Sequence, residues 1–176
     1  MAITVRPPVE ADLAALTRID ALYAERHELE PMLTAGSLRF FGRTEHSFVA
    51  EDLAASGGEP LGFVMAQAVW SGERPQVLVA RVATADPAAA EALVKALVKS
   101  AYDSGVYDLL TRTARSDAAL LKVLEQESFF EDRLVQHVRV LGSRGVKLAD
   151  EVADKVAAPS GAARADEGAA EVSRRG

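Results

Sequence analysis

The sequence predicts an α/β domain of the α+β kind: a mixed, mainly antiparallel, twisted sheet flanked by helices. Three observations predict it. Three strand-like runs (47–53, 61–70 and 76–85) are separated by short Gly/Pro-containing turns, which is the pattern of an antiparallel meander. The last run leads into the clearest helix of the chain, after which 106–113 returns to strand character. Two strands joined by a helical crossover lie parallel. The whole order reads β-α-α-β-β-β-α-β-α-β, without an internal repeat.

Each element has its own signal. "ITVRP" (3–7) is β-branched and closed by Pro7 and Pro8, so it opens the domain as a strand. In "VEADLAALTRIDALYAER" the residues Leu13, Leu16, Ile19, Leu22 and Tyr23 recur at helical spacing between charged ones. A weaker helix covers "SLRFFGRT", with Ser37 as its N-cap and Gly42 near its end. "SFVAEDL" is a strand, and Gly57-Gly58 suits a hairpin before "LGFVMAQAVW". "SGERP" then turns the chain into "QVLVARVATA". From Asp86 a helix buries Leu93, Val94, Leu97, Val98 and Ala101, presents Glu91, Lys95 and Lys99 to water, and stops at Ser104-Gly105. Asp117 starts another helix through Leu120, Leu121 and Leu124, and "RLVQHVRVLG" closes the sheet as a last strand. Residues 1–145 form the domain. Residues 146–176 are an Ala/Gly/charge-rich tail without an aromatic residue, a composition expected to be disordered.

Composition removes whole classes of function. The 176 residues include no cysteine, which excludes disulfides, thiolate metal sites and cysteine nucleophiles. His27, His46 and His137 are scattered, so no metal site is expected. A net charge of −6 argues against nucleic acid as a partner. "MAITVRPPVEADL" has no apolar stretch of the signal-peptide kind, and the longest apolar run is too short for a bilayer. A cytoplasmic protein without membrane contact is the expectation.

Several stretches resemble the GNAT (Gcn5-related N-acetyltransferase) superfamily over about residues 3–142. "ITVRPPVEADLAAL" is similar to its first strand and R-P-x-x-x-x-D-L helix start, and "FVAED…PLGFVMA" to its strands two and three. "YDSGVYDLL" resembles the approach to strand five, and "SDAALLKVLEQESFF" the helix and turn that follow. A divergent bacterial branch of the superfamily fits best. The resemblance implies helices on both faces of the sheet and a parallel strand pair, four and five, that splays apart. It also implies acetyl-coenzyme A, or another acyl-coenzyme A, in that gap. Its arm would lie along Val82, Ala83 and Thr84, and its pyrophosphate on the amides of Ala88, Ala89 and Ala90, with Asp117 nearby.

The loop expected to wrap the pyrophosphate carries no glycine. It reads "TADPAAA": Thr84 replaces a basic or amide residue, Pro87 lacks an N–H, and Asp86 is a natural N-cap. A helix start capped by its own aspartate competes with a phosphate for the same N–H groups. The superfamily's frequent general-acid tyrosine falls on Leu124, its asparagine on Asp117 and its glycine on Ser128.

For an acceptor, the sequence offers Arg43 to bind an anion, His46 as a base or orienting group, Glu51 as a base facing the gap, and Trp70 as a pocket wall. Each has a plainer reading: a solvated turn for Arg43 and His46, a wet strand end for Glu51, a core edge for Trp70. Arg39 flanks the same turn, and Arg112 and Arg115 are alternatives for meeting phosphate or pairing Asp117. Two functions follow from the resemblance. One is an acyl-coenzyme A-dependent N-acyltransferase for a small-molecule or amine acceptor. The other is an inactive module that binds a small molecule or protein, with a homodimer as a further option.

Overall fold

The structure, a computed structural model, describes residues 3–54, 58–72 and 74–133. The expected last strand, the boundary at 145, the tail, His137 and Gly57 lie outside the described residues. The described elements fall within one unit, Met1–Glu131. Five strands make one sheet in sequence order: β1 (Ile3–Arg6), β2 (Phe48–Asp52), β3 (Pro60–Ser71), β4 (Arg74–Thr84) and β5 (Asp108–Thr111). The first four are antiparallel neighbours, and β5 lies parallel to β4. The meander and the crossover are as the sequence predicts. Among the described residues no helix is long and apolar enough to cross a membrane.

Helices cover both faces. Helix α3 (Pro87–Asp103) and α4 (Ala118–Gln126) bury Leu93, Val94, Leu97, Leu120, Val123 and Leu124 against Val64, Ala66, Val77, Val79 and Val82 of the sheet. Each fully buried leucine contributes about 1.5–3 kcal/mol. On the opposite face α1 (Leu13–Arg26) and α2 (Ala35–Phe41) press Leu16, Tyr23, Leu38 and Phe41 onto Val49, Phe63, Met65 and Ala83.

Local chemistry sets the boundaries. The guanidinium of Arg6 grips Asp12 through two bonds of 2.8 Å, and Asp12 accepts from the Val9 N–H at 2.8 Å, so the turn into α1 is closed by one charged fork. Burial alone would raise the Asp12 carboxyl, but the bonds from Arg6 and Val9 outweigh it and hold the group below the usual carboxylate range. The expected N-cap of α2 is corrected: Thr34 holds that place, its hydroxyl accepting from the Ser37 N–H, while Ser37 sits one turn inside and accepts from the Thr34 N–H. This is the reciprocal capping arrangement, in which the downstream serine looks like a cap but returns the bond.

One irregularity shapes everything downstream. Met65 pairs with Arg81 and Ala66 with Val79, so Ala80 is an extra residue on β4. The bulge shifts the side-chain alternation by one. Val77 and Val79 face α3 before it, and Val82 faces α3 after it. Arg81 is thereby turned to the α1 face, where a strict alternation from Val79 would have buried it under α3. There its guanidinium meets Asp20 at 2.7 Å and the Glu30 carbonyl at 2.9 Å.

Candidate active site

The parallel pair comes apart. Its register runs only from Gln76–Asp108 to Val79–Thr111, while β4 continues to Thr84. Beyond Val79, the edge of β4 that faces away from β3 has no strand partner among the described residues. A cleft of about 260 Å³ opens at this end, between β4 (Val82, Thr84), the start of α3 (Asp86, Pro87, Ala90), the start of α4 (Ser116 to Leu120) and the last turn of α1 (Arg26, His27).

The floor is fixed by a close backbone approach. The Thr84 hydroxyl donates to the Leu61 carbonyl at 2.8 Å and accepts from the Asp86 N–H at 3.0 Å. It can do so because Gly62 lies opposite: a Cβ there would stand 2.5 Å from the Thr84 Cβ and 2.8 Å from the Ala83 carbonyl oxygen. Thr84 therefore anchors the turn that launches α3.

Both helix starts at the cleft are closed by their own aspartates. One carboxylate oxygen of Asp86 accepts from the N–H groups of Ala88 (2.8 Å) and Ala89 (3.2 Å). Asp117 accepts from the Leu120 N–H at 3.0 Å through one oxygen and from the Tyr23 hydroxyl at 2.9 Å through the other. The His27 Nε2 is 3.8 Å from that second oxygen, and its Nδ1 lies 2.8 Å from the Ser116 hydroxyl. Burial, reinforced by the bond to Asp117, pushes the Tyr23 phenol well above its ordinary value, so it keeps its proton. The Tyr23 and His27 rings pack with centres 4.4 Å apart and planes tilted by 50°, and the Arg81 guanidinium lies 5.9 Å over the Tyr23 ring.

The sequence candidates distribute unevenly over this geometry. Val82, Thr84, Ala90 and Asp117 line the cleft. Ala83 is buried toward α1, Ala89 is buried in the core between α3 and the sheet, and the Ala88 and Ala89 amides serve Asp86. Glu51 lies at the same end of the sheet, where it accepts from the Arg6 Nε at 2.8 Å. His46 is 4 % exposed, its Nδ1 2.9 Å from the Ser100 hydroxyl, which donates to the Glu45 carbonyl. Ser100 is fourteen residues along α3 from Asp86, about 21 Å at the helical rise. Burial lowers the His46 pKa against a smaller opposing pull from Glu45. Arg43 is exposed on the same turn. Trp70, 73 % exposed, pairs with Pro75 at the far end of the β3–β4 hairpin from Thr84. Leu124 is buried in the α3–α4 core.

Sequence reading missed Arg26, Tyr23, His27 and Ser116 as a site. The available signal was Tyr23 on the last turn of α1 and His27 at its C-cap, i and i+4, a spacing that brings the two rings together on one side of the helix. The hydrogen bond from Tyr23 spans 94 residues to Asp117 and has no sequence signature.

The crystal structure of TTHA1254 from Thermus thermophilus is 42% identical, with a TM-score of 0.67, and the match covers 80% of this chain and 99% of that one. The Ribosomal-protein-alanine N-acetyltransferase from Brucella melitensis biovar Abortus 2308 matches at 15% identity and a TM-score of 0.58, over 80% of this chain and 100% of that one. A "predicted acetyltransferase with acetyl-CoA" from Clostridium acetobutylicum matches at 12% identity and a TM-score of 0.58, over 78% and 96%. At such identities these two establish the fold alone, and that fold is the GNAT fold. No curated protein matches the chain at a significant level. A family profile described as "Protein of unknown function (DUF1999)" matches residues 10–154, and the chain belongs to that family.

Proposed function

We propose that the protein is an acyl-coenzyme A-dependent N-acyltransferase for a small-molecule or amine acceptor. The observation that supports this reading most is the parting of β5 from β4 after Val79, with a cleft at the exposed end of β4. Main-chain groups of Ala80–Thr84 left without a strand partner are suited to hold the amide-bearing arm of an acyl carrier, as an added strand would be held. Bound there, the carrier supplies an acyl group activated as a thioester. The chain's own part is to orient it, to exclude water with the walls of Val82 and Ala90, and to offer β4 N–H groups to the carbonyl oxygen as charge develops on it.

Proton handling falls to the groups that face the cleft. Asp117 and His27 are placed to receive a proton from an incoming ammonium. Tyr23 holds its proton on the oxygen 2.9 Å from Asp117 and keeps that carboxylate oriented. Leu124 has no proton to give, so the tyrosine-based acid step of the GNAT superfamily is not used at that position; as the C–N bond forms and the C–S bond breaks, the carrier leaves as a thiolate and takes its proton from water. Arg43, His46 and Trp70 lie on other elements, away from this constellation.

The test is binding, then turnover. Acetyl-coenzyme A at about 100 times its dissociation constant should raise the unfolding free energy by about 2.7 kcal/mol, a shift of several degrees in Tm. Ala119 is exposed and lines the cleft, so Ala119→Trp fills it while leaving the core alone, and should abolish the shift. An absence of any shift at millimolar ligand rules the reading out. Binding without acyl transfer to any amine in a panel leaves a binding module.

A further inference from the structure

We propose that the cleft recognises only the acyl-pantetheine portion of its thioester ligand and gains nothing from the nucleotide phosphates, so that acyl-pantetheine thioesters of any attachment are its substrate class. The proposal rests on the acyltransferase reading and deepens it. Two helix starts, of α3 and α4, converge on the cleft, and such ends attract phosphate through unsatisfied N–H groups and the positive end of the helix dipole. Here each is capped by a carboxylate, the α3 start through two N–H groups and the α4 start through one. Asp86 takes the Ala88 and Ala89 N–H groups, and Pro87, just ahead of them, has none to offer. Asp117 takes the Leu120 N–H and is held in place by Tyr23.

The surroundings reinforce the sign. A second, more open hollow adjoins the α3 start and carries Asp52 and Glu59 together with Asp86. The charge on Glu59 is shared with Arg18. Against these acids stands Arg26, exposed on the last turn of α1 and the one lysine or arginine lining the cleft among the described residues. The His27 ring is engaged with Ser116 and Asp117. A diphosphate entering here meets two carboxylates at the points where it would seek donors. An uncharged arm of amides and methylenes meets Val82, Thr84, Ala90 and the unpartnered edge of β4, which suit it.

The experiment is calorimetric titration of the full chain with three probes: acetyl-coenzyme A, S-acetylpantetheine, and adenosine 3′,5′-bisphosphate. It is repeated with Asp86→Asn, which keeps an N-cap side chain but removes its charge. The expected result is that the two thioesters bind the wild type within about threefold of each other, and the bisphosphate does not bind. In Asp86→Asn, acetyl-coenzyme A should gain about tenfold or more while S-acetylpantetheine is unchanged, a difference of about 1.4 kcal/mol. Acetyl-coenzyme A binding the wild type tenfold tighter than S-acetylpantetheine overturns the inference and leaves the acyltransferase reading intact. So does an Asp86→Asn affinity for acetyl-coenzyme A equal to wild type. If neither thioester binds, the acyltransferase reading itself is lost.

Discussion

Ser128 adopts a left-handed backbone, φ 65°, where the resembling family carries glycine. The conformation ends α4: the Phe129 N–H returns to the Leu124 carbonyl at 2.9 Å. A side chain in that region is unfavourable by about 1–2 kcal/mol, partly offset by glycine's greater freedom when unfolded. Ser128→Gly is therefore expected to stabilise the protein by about 0.5–1 kcal/mol, read as a higher denaturation midpoint. His46 makes the second prediction at this scale. Its pKa is lower folded than unfolded, where it stands near 6.5. The unfolded chain thus binds the proton more readily. The contribution of the neutral, buried imidazole is complete above about pH 6.5 and declines as pH falls from there toward the folded value. His46→Asn offers an amide to Ser100 without a titrating group. Its loss of Tm between pH 8 and pH 5.5 should be smaller than that of the wild type, and equal losses refute the assignment.

Among elements, the contact between α1 and the bulged part of β4 matters most to the cleft. Asp20 is fully buried and accepts from Arg81 and from the Met32 (2.6 Å) and Leu33 (2.8 Å) N–H groups. Three segments, α1, the 30–33 turn and β4, are tied through one carboxylate. Removing one partner of such a pair strands the other in a low-dielectric setting. Arg81→Met should destabilise the fold by about 3–5 kcal/mol, because the buried Asp20 carboxyl loses its ion-pair partner. Hydrogen exchange should show the loss first at α1 and at Ala80–Thr84. An effect under about 1 kcal/mol would mean that the two backbone donors alone satisfy Asp20.

At the scale of the molecule, the elements were legible because their signals are local. Alternating apolar residues gave β2 to β4, and Leu93, Val94, Leu97 and Ala101 gave the buried face of α3. The cleft was legible only in part. Asp86, Pro87 and Ala88–Ala90 speak for themselves, since capping is decided within four residues. The bulge at Ala80 was not readable, because one inserted residue changes the phase of a strand without changing its composition. The charged Arg81 inside an apolar run was the clue that the phase had shifted. Tyr23 and Asp117 meet only because the sheet brings the ends of α1 and α4 to one edge.

The exposed Trp70 has a practical bearing on every titration described above. It is the sole indole in 176 residues, and it sits at the hairpin tip, at the opposite end of β4 from the cleft, already in contact with water. Its emission should resemble that of the free amino acid and shift little when the chain unfolds. Ligands arriving beside Thr84 will leave that optical signal almost untouched, so calorimetry and circular dichroism are the probes that see this protein work.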